Sequence, residues 1–200
     1  MKPKYTSQSK NKITMEWNDL FPEMGRYKSM WLMNIVGPIA VGIILQVKGD
    51  KTIYEPSLHL HDLGSNTDFV SLTGEISADF DYVSTIRAPD KYIKLANKLK
   101  SKAIIPLSGD LTFEEIKICL CEYYRKCISE EKYDFLVMYL RVAIWAGNED
   151  EIEKAYNLLK TKFKYKNIDK LLEPAETLKE RVEKNIMNLK LNKLPRREII

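Results

Sequence analysis

Between Lys28 and Lys48 the chain carries no formal charge, and the core of that stretch, Met30 to Val47, reads MWLMNIVGPIAVGIILQV. A run of this length sits at the lower limit for a helix that crosses a bilayer. Its residues argue for a different outcome. Asn34, Gln46, Gly42 and the Gly37-Pro38 pair interrupt it, and Val41, Ile43, Ile44 and Val47 are β-branched residues that favour a pleated sheet. The pattern predicts a turn at Gly37-Pro38 feeding a strand buried on both faces. Lys48-Gly49-Asp50-Lys51 then has turn chemistry, and the run from Thr52 to His61 alternates, so a β-hairpin is expected. Pro56 has no backbone donor, which places a bulge or a sheet edge there. A third run, Phe69 to Ile76, follows the polar turn Gly64-Ser-Asn-Thr-Asp. The first 86 residues are therefore expected to form an antiparallel β-meander, with Lys12 to Trp17 a short strand or a loop.

From Ala88 the apolar period changes from two to that of a helix. Ala88-Pro89-Asp90 opens a helix to about Ser101, and Thr112 to Glu115 is a capping box that launches Ile116, Leu120, Tyr123 and Tyr124. Tyr133 to Ala146 is apolar nearly all round, the signature of a central helix, and Gly147 supplies its left-handed cap. Asn148 caps the next helix, with Ile152, Tyr156, Leu159 and Phe163 as its stripe, and Pro174 opens a last helix through Leu178, Val182 and Ile186. No 34-residue period recurs over residues 111 to 190. The expected class is α+β: a single domain over residues 1–200, with the β-rich part at about 1–86 and four to five helices over about 88–190.

Composition narrows the function classes. Hydrophobic residues make up 44% and charged residues 30%, which excludes disordered and collagenous chains. The net charge of +4 is shared between the two halves, so no arm concentrates basic charge as dedicated nucleic-acid binders do. The polar start, Met1 to Lys12, has no apolar stretch behind it and is not expected to be a cleaved signal peptide. Cys119, Cys121 and Cys127 crowd one helical stretch, as suits reduced thiols in a cytoplasmic protein. On a helix, positions 119 and 121 point about 200° apart, so these thiols do not converge on one ion.

Four groups of residues are candidates for function. His59 and His61, the only histidines, lie two apart and share one face of a strand. With Asp79 or Asp81 they would make a two-His, one-carboxylate metal set; the competing expectation leaves both imidazoles on a solvent-facing or edge strand opposite Leu58 and Leu60. Lys160, Lys162, Lys164 and Lys166 interleave with Phe163 and Tyr165, a pattern that can hold phosphates and stack bases, or simply end a helix. Finally, Trp17, Phe21, Tyr27 and Trp31 concentrate large aromatics in a loop-like stretch, the residue types that protein interfaces favour. Gly-rich phosphate loops and a Gly-x-Ser-x-Gly turn are missing from the sequence. The leading expectation is a non-catalytic, cytoplasmic module without a cofactor, of protein-binding, accessory or immunity type. A usage of 25 Lys against 7 Arg suits a microbial, AT-rich genome. A nucleic-acid-binding protein comes second, and a metal-dependent hydrolase using His59 and His61 third.

Overall fold

The charge-free run folds as two strands and the turn between them. In the computed structural model, which describes residues 5–48, 53–66, 69–70, 73–77, 82–84, 90–126, 131–163 and 168–200, Trp31–Val36 (β2) and Ile39–Lys48 (β3) form an antiparallel hairpin. Gly37 sits at φ +52° in its turn, a conformation that favours glycine. None of the described helices is long and apolar enough to cross a membrane. β3 pairs in full with Ile53–Asp62 (β4), from Lys48 opposite Ile53 to Ile39 opposite Asp62, which is the expected second hairpin.

The sheet extends on both sides of this centre. Gly25–Lys28 (β1) flanks β2, and Thr73–Ser77 (β5) and Val83–Ser84 (β6) share the outer flank of β4. Pro56 is thereby in an interior strand rather than at an edge. The reason lies in register: the Leu45 N–H donates to Met30 O, away from β4, so the Leu45–Pro56 pair exchanges no hydrogen bonds. The missing donor of Pro56 therefore faces the other flank, between the residues paired with β6 and those paired with β5.

Residues 1–86 are not wholly β. Ser7–Leu20 is a helix (α1), capped by the Thr6 side chain accepting from the Ser9 N–H, and it includes the segment expected as a strand or loop. Its buried stripe is narrow, Ile13, Thr14 and Trp17, and one member is polar. α1 lies over the sheet face that carries Tyr54, whose hydroxyl accepts from Trp17 Nε1 at 2.9 Å.

The later helices follow the expected order: Lys91–Lys102 (α2), Phe113–Lys126 (α3), Glu131–Ala146 (α4), Glu149–Phe163 (α5) and Ala175–Asn188 (α6), with a short 3-10 turn at Ile168–Leu171. The capping box is reciprocal: Glu115 N–H donates to Thr112 Oγ1, and Thr112 N–H donates to Glu115 Oε2. Gly147 ends α4 at φ +67°, and Asn148 Oδ1 accepts from the Glu151 N–H. Every residue from Phe135 to Ile144 is buried, as a central helix requires. The chain is α+β. One contiguous apolar cluster contains Trp17 of α1, Leu58 of β4, Leu99 of α2, Leu140 of α4 and Leu178 of α6.

The C-terminal basic residues return to the sheet instead of extending a charged surface. Arg196–Arg197 (β7) pairs parallel with β2 beyond the end of β1. Arg196 makes a two-pronged contact with Glu183, while the buried Arg197 guanidinium donates to the carbonyls of Gly109, Pro106 and Ser108.

Candidate functional site

The sheet register puts the functional candidates on one face. Successive cross-strand rows are Trp31, Ile44 and Ser57; then Met33, Gly42 and His59; then Ile35, Ala40 and His61. β3 thus offers its two smallest side-chain positions, Gly42 and Ala40, where β4 supplies imidazoles. A Cβ on Gly42 would lie 2.5 Å from His59 Nε2 and 3.1 Å from Met33 Cγ. The glycine lets the imidazole lie against the backbone, with Met33 over the same spot.

β4 is interior to the sheet, and His59 and His61 are 1% and 0% exposed, which corrects the expectation of a solvent-facing or edge strand. Among the described residues, neither ring nitrogen of His59 has a hydrogen-bond partner. Burial holds the pKa of His59 down to about 3, with the neighbouring His61 adding to the effect, and burial brings His61 to about 4. Both imidazoles are neutral at pH 7. Asp79 and Asp81 lie outside the described residues, and among the described residues no three His, Cys, Asp or Glu side chains gather as a metal site.

The aromatic group divides into core and surface. Trp17 and Phe21 are 0% and 3% exposed, stacked on one another at 6.0 Å, with Trp17 edge-on to Tyr54. They are core, so the expectation that they face a partner is corrected for these two. Tyr27 and Trp31 are half-buried at the β1–β2 hairpin, with ring centroids 5.7 Å apart. Lys28, exposed, sets its ammonium 4.6 Å from the Tyr27 ring centre and 5.8 Å from that of Trp31. The hairpin turn that presents them is held from beneath. Met30 adopts φ +69°, unusual for a residue with a side chain, and its N–H donates to the buried Thr14 Oγ1 of α1 at 2.7 Å. Trp31 continues inward to His59, ring centres 5.6 Å apart.

Lys160 and Lys162 are exposed in the last turn of α5, where cations suit the helix dipole, and Lys160 lies 5.6 Å from the Tyr156 ring centre. Lys164 and Lys166 lie outside the described residues. Cys119 is buried, which pushes its thiol pKa up, and Cys121 is half-buried; Cys127 lies outside the described residues.

Three carboxylates, one buried and two half-buried, already have structural partners. Glu151, 7% exposed, accepts from Lys154, Tyr139 and Lys117, and these bonds hold its pKa down to about 2. Asp62 pairs with Arg141 and accepts from the Gly64 N–H, and Glu173 pairs with Arg181. Sequence reasoning places Glu151 only in the cap Asn148-x-x-Glu151 and misses its bonds to Tyr139 and Lys117, which come from other helices. It missed Met33 because that residue meets His59 only once the register of three strands is known. Comparison of the chain with family models, with curated proteins and with solved structures returned no match.

Proposed function

We propose that the protein is a non-catalytic binding module whose partner is another protein, and that Tyr27, Lys28 and Trp31 form the centre of the contact. The observation that carries this reading is the half-buried aromatic pair with a lysine over it, presented on a hairpin whose turn is anchored to α1. Aromatic rings held rigidly at a surface offer large apolar area at small entropic cost, and such side chains dominate the energetics of protein contacts. Arg26, exposed on the same short strand, adds a second cation and favours a partner with acidic groups around its apolar centre. An accessory or immunity-type role in the cytoplasm of a microbe is consistent with the lysine-rich composition.

Affinity capture from the native cell tests the proposal when run with and without nuclease. The expected result is a discrete protein partner that survives nuclease and is lost from the Tyr27→Ala and Lys28→Glu variants. Recovery that vanishes with nuclease, and that depends on Lys160 and Lys162 instead, would establish nucleic-acid binding in its place.

A further inference from the structure

At the C-terminal end of α1 the chain shapes a cavity of about 420 Å³, a size that suits a small molecule. Leu20 and Pro22 line it from the α1 side, and Pro106 and Leu107 line it from the loop between α2 and α3. Phe21, buried and stacked on Trp17, lies deepest. Both sides are fixed from behind. Asn18 Nδ2 donates to the carbonyls of Phe21 and Met24, while the loop is held by the Arg197 guanidinium on three of its carbonyls and by the Gly109 N–H donating to Glu23. A cleft tied in this way needs little ordering when a ligand enters. Its rim lies in solvent, where Pro22, Lys100 and Ser108 are exposed. Glu23, the one acid in the lining, is already engaged by Gly109. The Lys100 ammonium lies 4.8 Å from the Phe21 ring centre, and neither it nor the Ser108 hydroxyl has a hydrogen-bond or ion-pair partner among the described residues.

We propose that this cavity binds a small carboxylic acid carrying one aromatic ring, with its carboxylate held by Lys100 and Ser108 and its ring packed among Phe21, Leu107 and the two prolines. Charge selects the headgroup: an ammonium and a hydroxyl, both free to donate, favour an anionic acceptor, and a carboxylate takes charge-assisted hydrogen bonds from each. Shape selects the body, because Phe21 and the proline rings present flat apolar faces against which another ring packs well. The volume suits a small molecule rather than a length of polypeptide. The inference does not depend on the protein contact proposed above.

Titration of the full chain with hydrocinnamate, followed through its backbone amide resonances, tests the proposal. Saturable shifts are expected at Phe21, Ser108 and Gly109, with a Kd of about 1 mM for so small a probe. Hydrocinnamamide keeps the ring without the charge and acetate keeps the charge without the ring; each is expected to bind at least about tenfold more weakly. Lys100→Met, at an exposed helix position, is expected to bring the acid to the level of the amide, while Lys94→Met on the same helix leaves the acid unaffected. Absence of a saturable shift below about 20 mM, equal binding of acid and amide, or full affinity in Lys100→Met would overturn the proposal. A peptide ending in phenylalanine that binds more tightly than the free acid would also overturn it, by assigning the cavity to a protein terminus.

Discussion

Lowering the pH from 7.5 to 5.0 should remove about 4 kcal/mol of stability from the protein. The ordinary imidazole pKa is about 6.5, so in the unfolded chain at pH 5.0 both histidines are almost fully protonated. In the fold, burial holds His59 at about 3 and His61 at about 4, so both remain neutral. A lowered histidine pKa means that the unfolded state binds more protons. The pair's contribution is therefore intact above pH 6.5 and is lost progressively as the pH falls toward 4 and 3. At pH 5.0 the difference is about 2 kcal/mol for each imidazole, a large share of the 5–15 kcal/mol typical of a folded domain. Urea denaturation at the two pH values measures it. His59→Leu/His61→Leu keeps the face apolar and should shrink the loss to under about 1 kcal/mol. The carboxylate of Glu151 does not confuse the result, because its depressed pKa acts only as the pH falls through about 4.5 toward 2. A wild-type loss below about 1 kcal/mol, or an equal loss in the double leucine variant, would refute the account of the pair.

Three further outcomes follow from the packing. Leu140→Ala, at a fully buried position of α4, should cost about 2–5 kcal/mol and leave a single unfolding transition, because sheet and helices contribute to one apolar cluster; calorimetry that resolves two transitions would contradict it. Asn34→Val should be neutral or stabilising by about 1 kcal/mol in chemical denaturation, since Asn34 is fully buried in β2 with neither amide atom hydrogen-bonded among the described residues. Arg197→Met should cost about 2–4 kcal/mol and speed amide exchange over residues 106–111, as three carbonyls lose their guanidinium donor.

Local chemistry was readable where one segment carries its own instruction. The Thr112-to-Glu115 box and the Gly147 cap each act within a few residues, and the helices stand where those signals put them; the strands on either side of the expected turn at Gly49, which lies outside the described residues, pair as a hairpin. α1 was not readable, because a helix that buries only Ile13, Thr14 and Trp17 shows almost no apolar period. β7 has two residues and exists through its parallel pairing with β2, a contact far along the chain. The division of the aromatic group likewise depends on tertiary position: Trp17 and Phe21 go inward because α1 is a helix, and Tyr27 and Trp31 stay near the surface because the hairpin turns at Met30. His59 was visible as a residue of interest, but its partner Met33 was not, since strand register alone brings the two together.

Photo-crosslinking in the native cell tests the proposed contact most directly. With p-benzoylphenylalanine at position 27, the account predicts a discrete protein adduct that resists nuclease, and none from the same probe at Met187, which is 61% exposed on α6. An unmodified chain at position 27, or an adduct that nuclease removes, would contradict it.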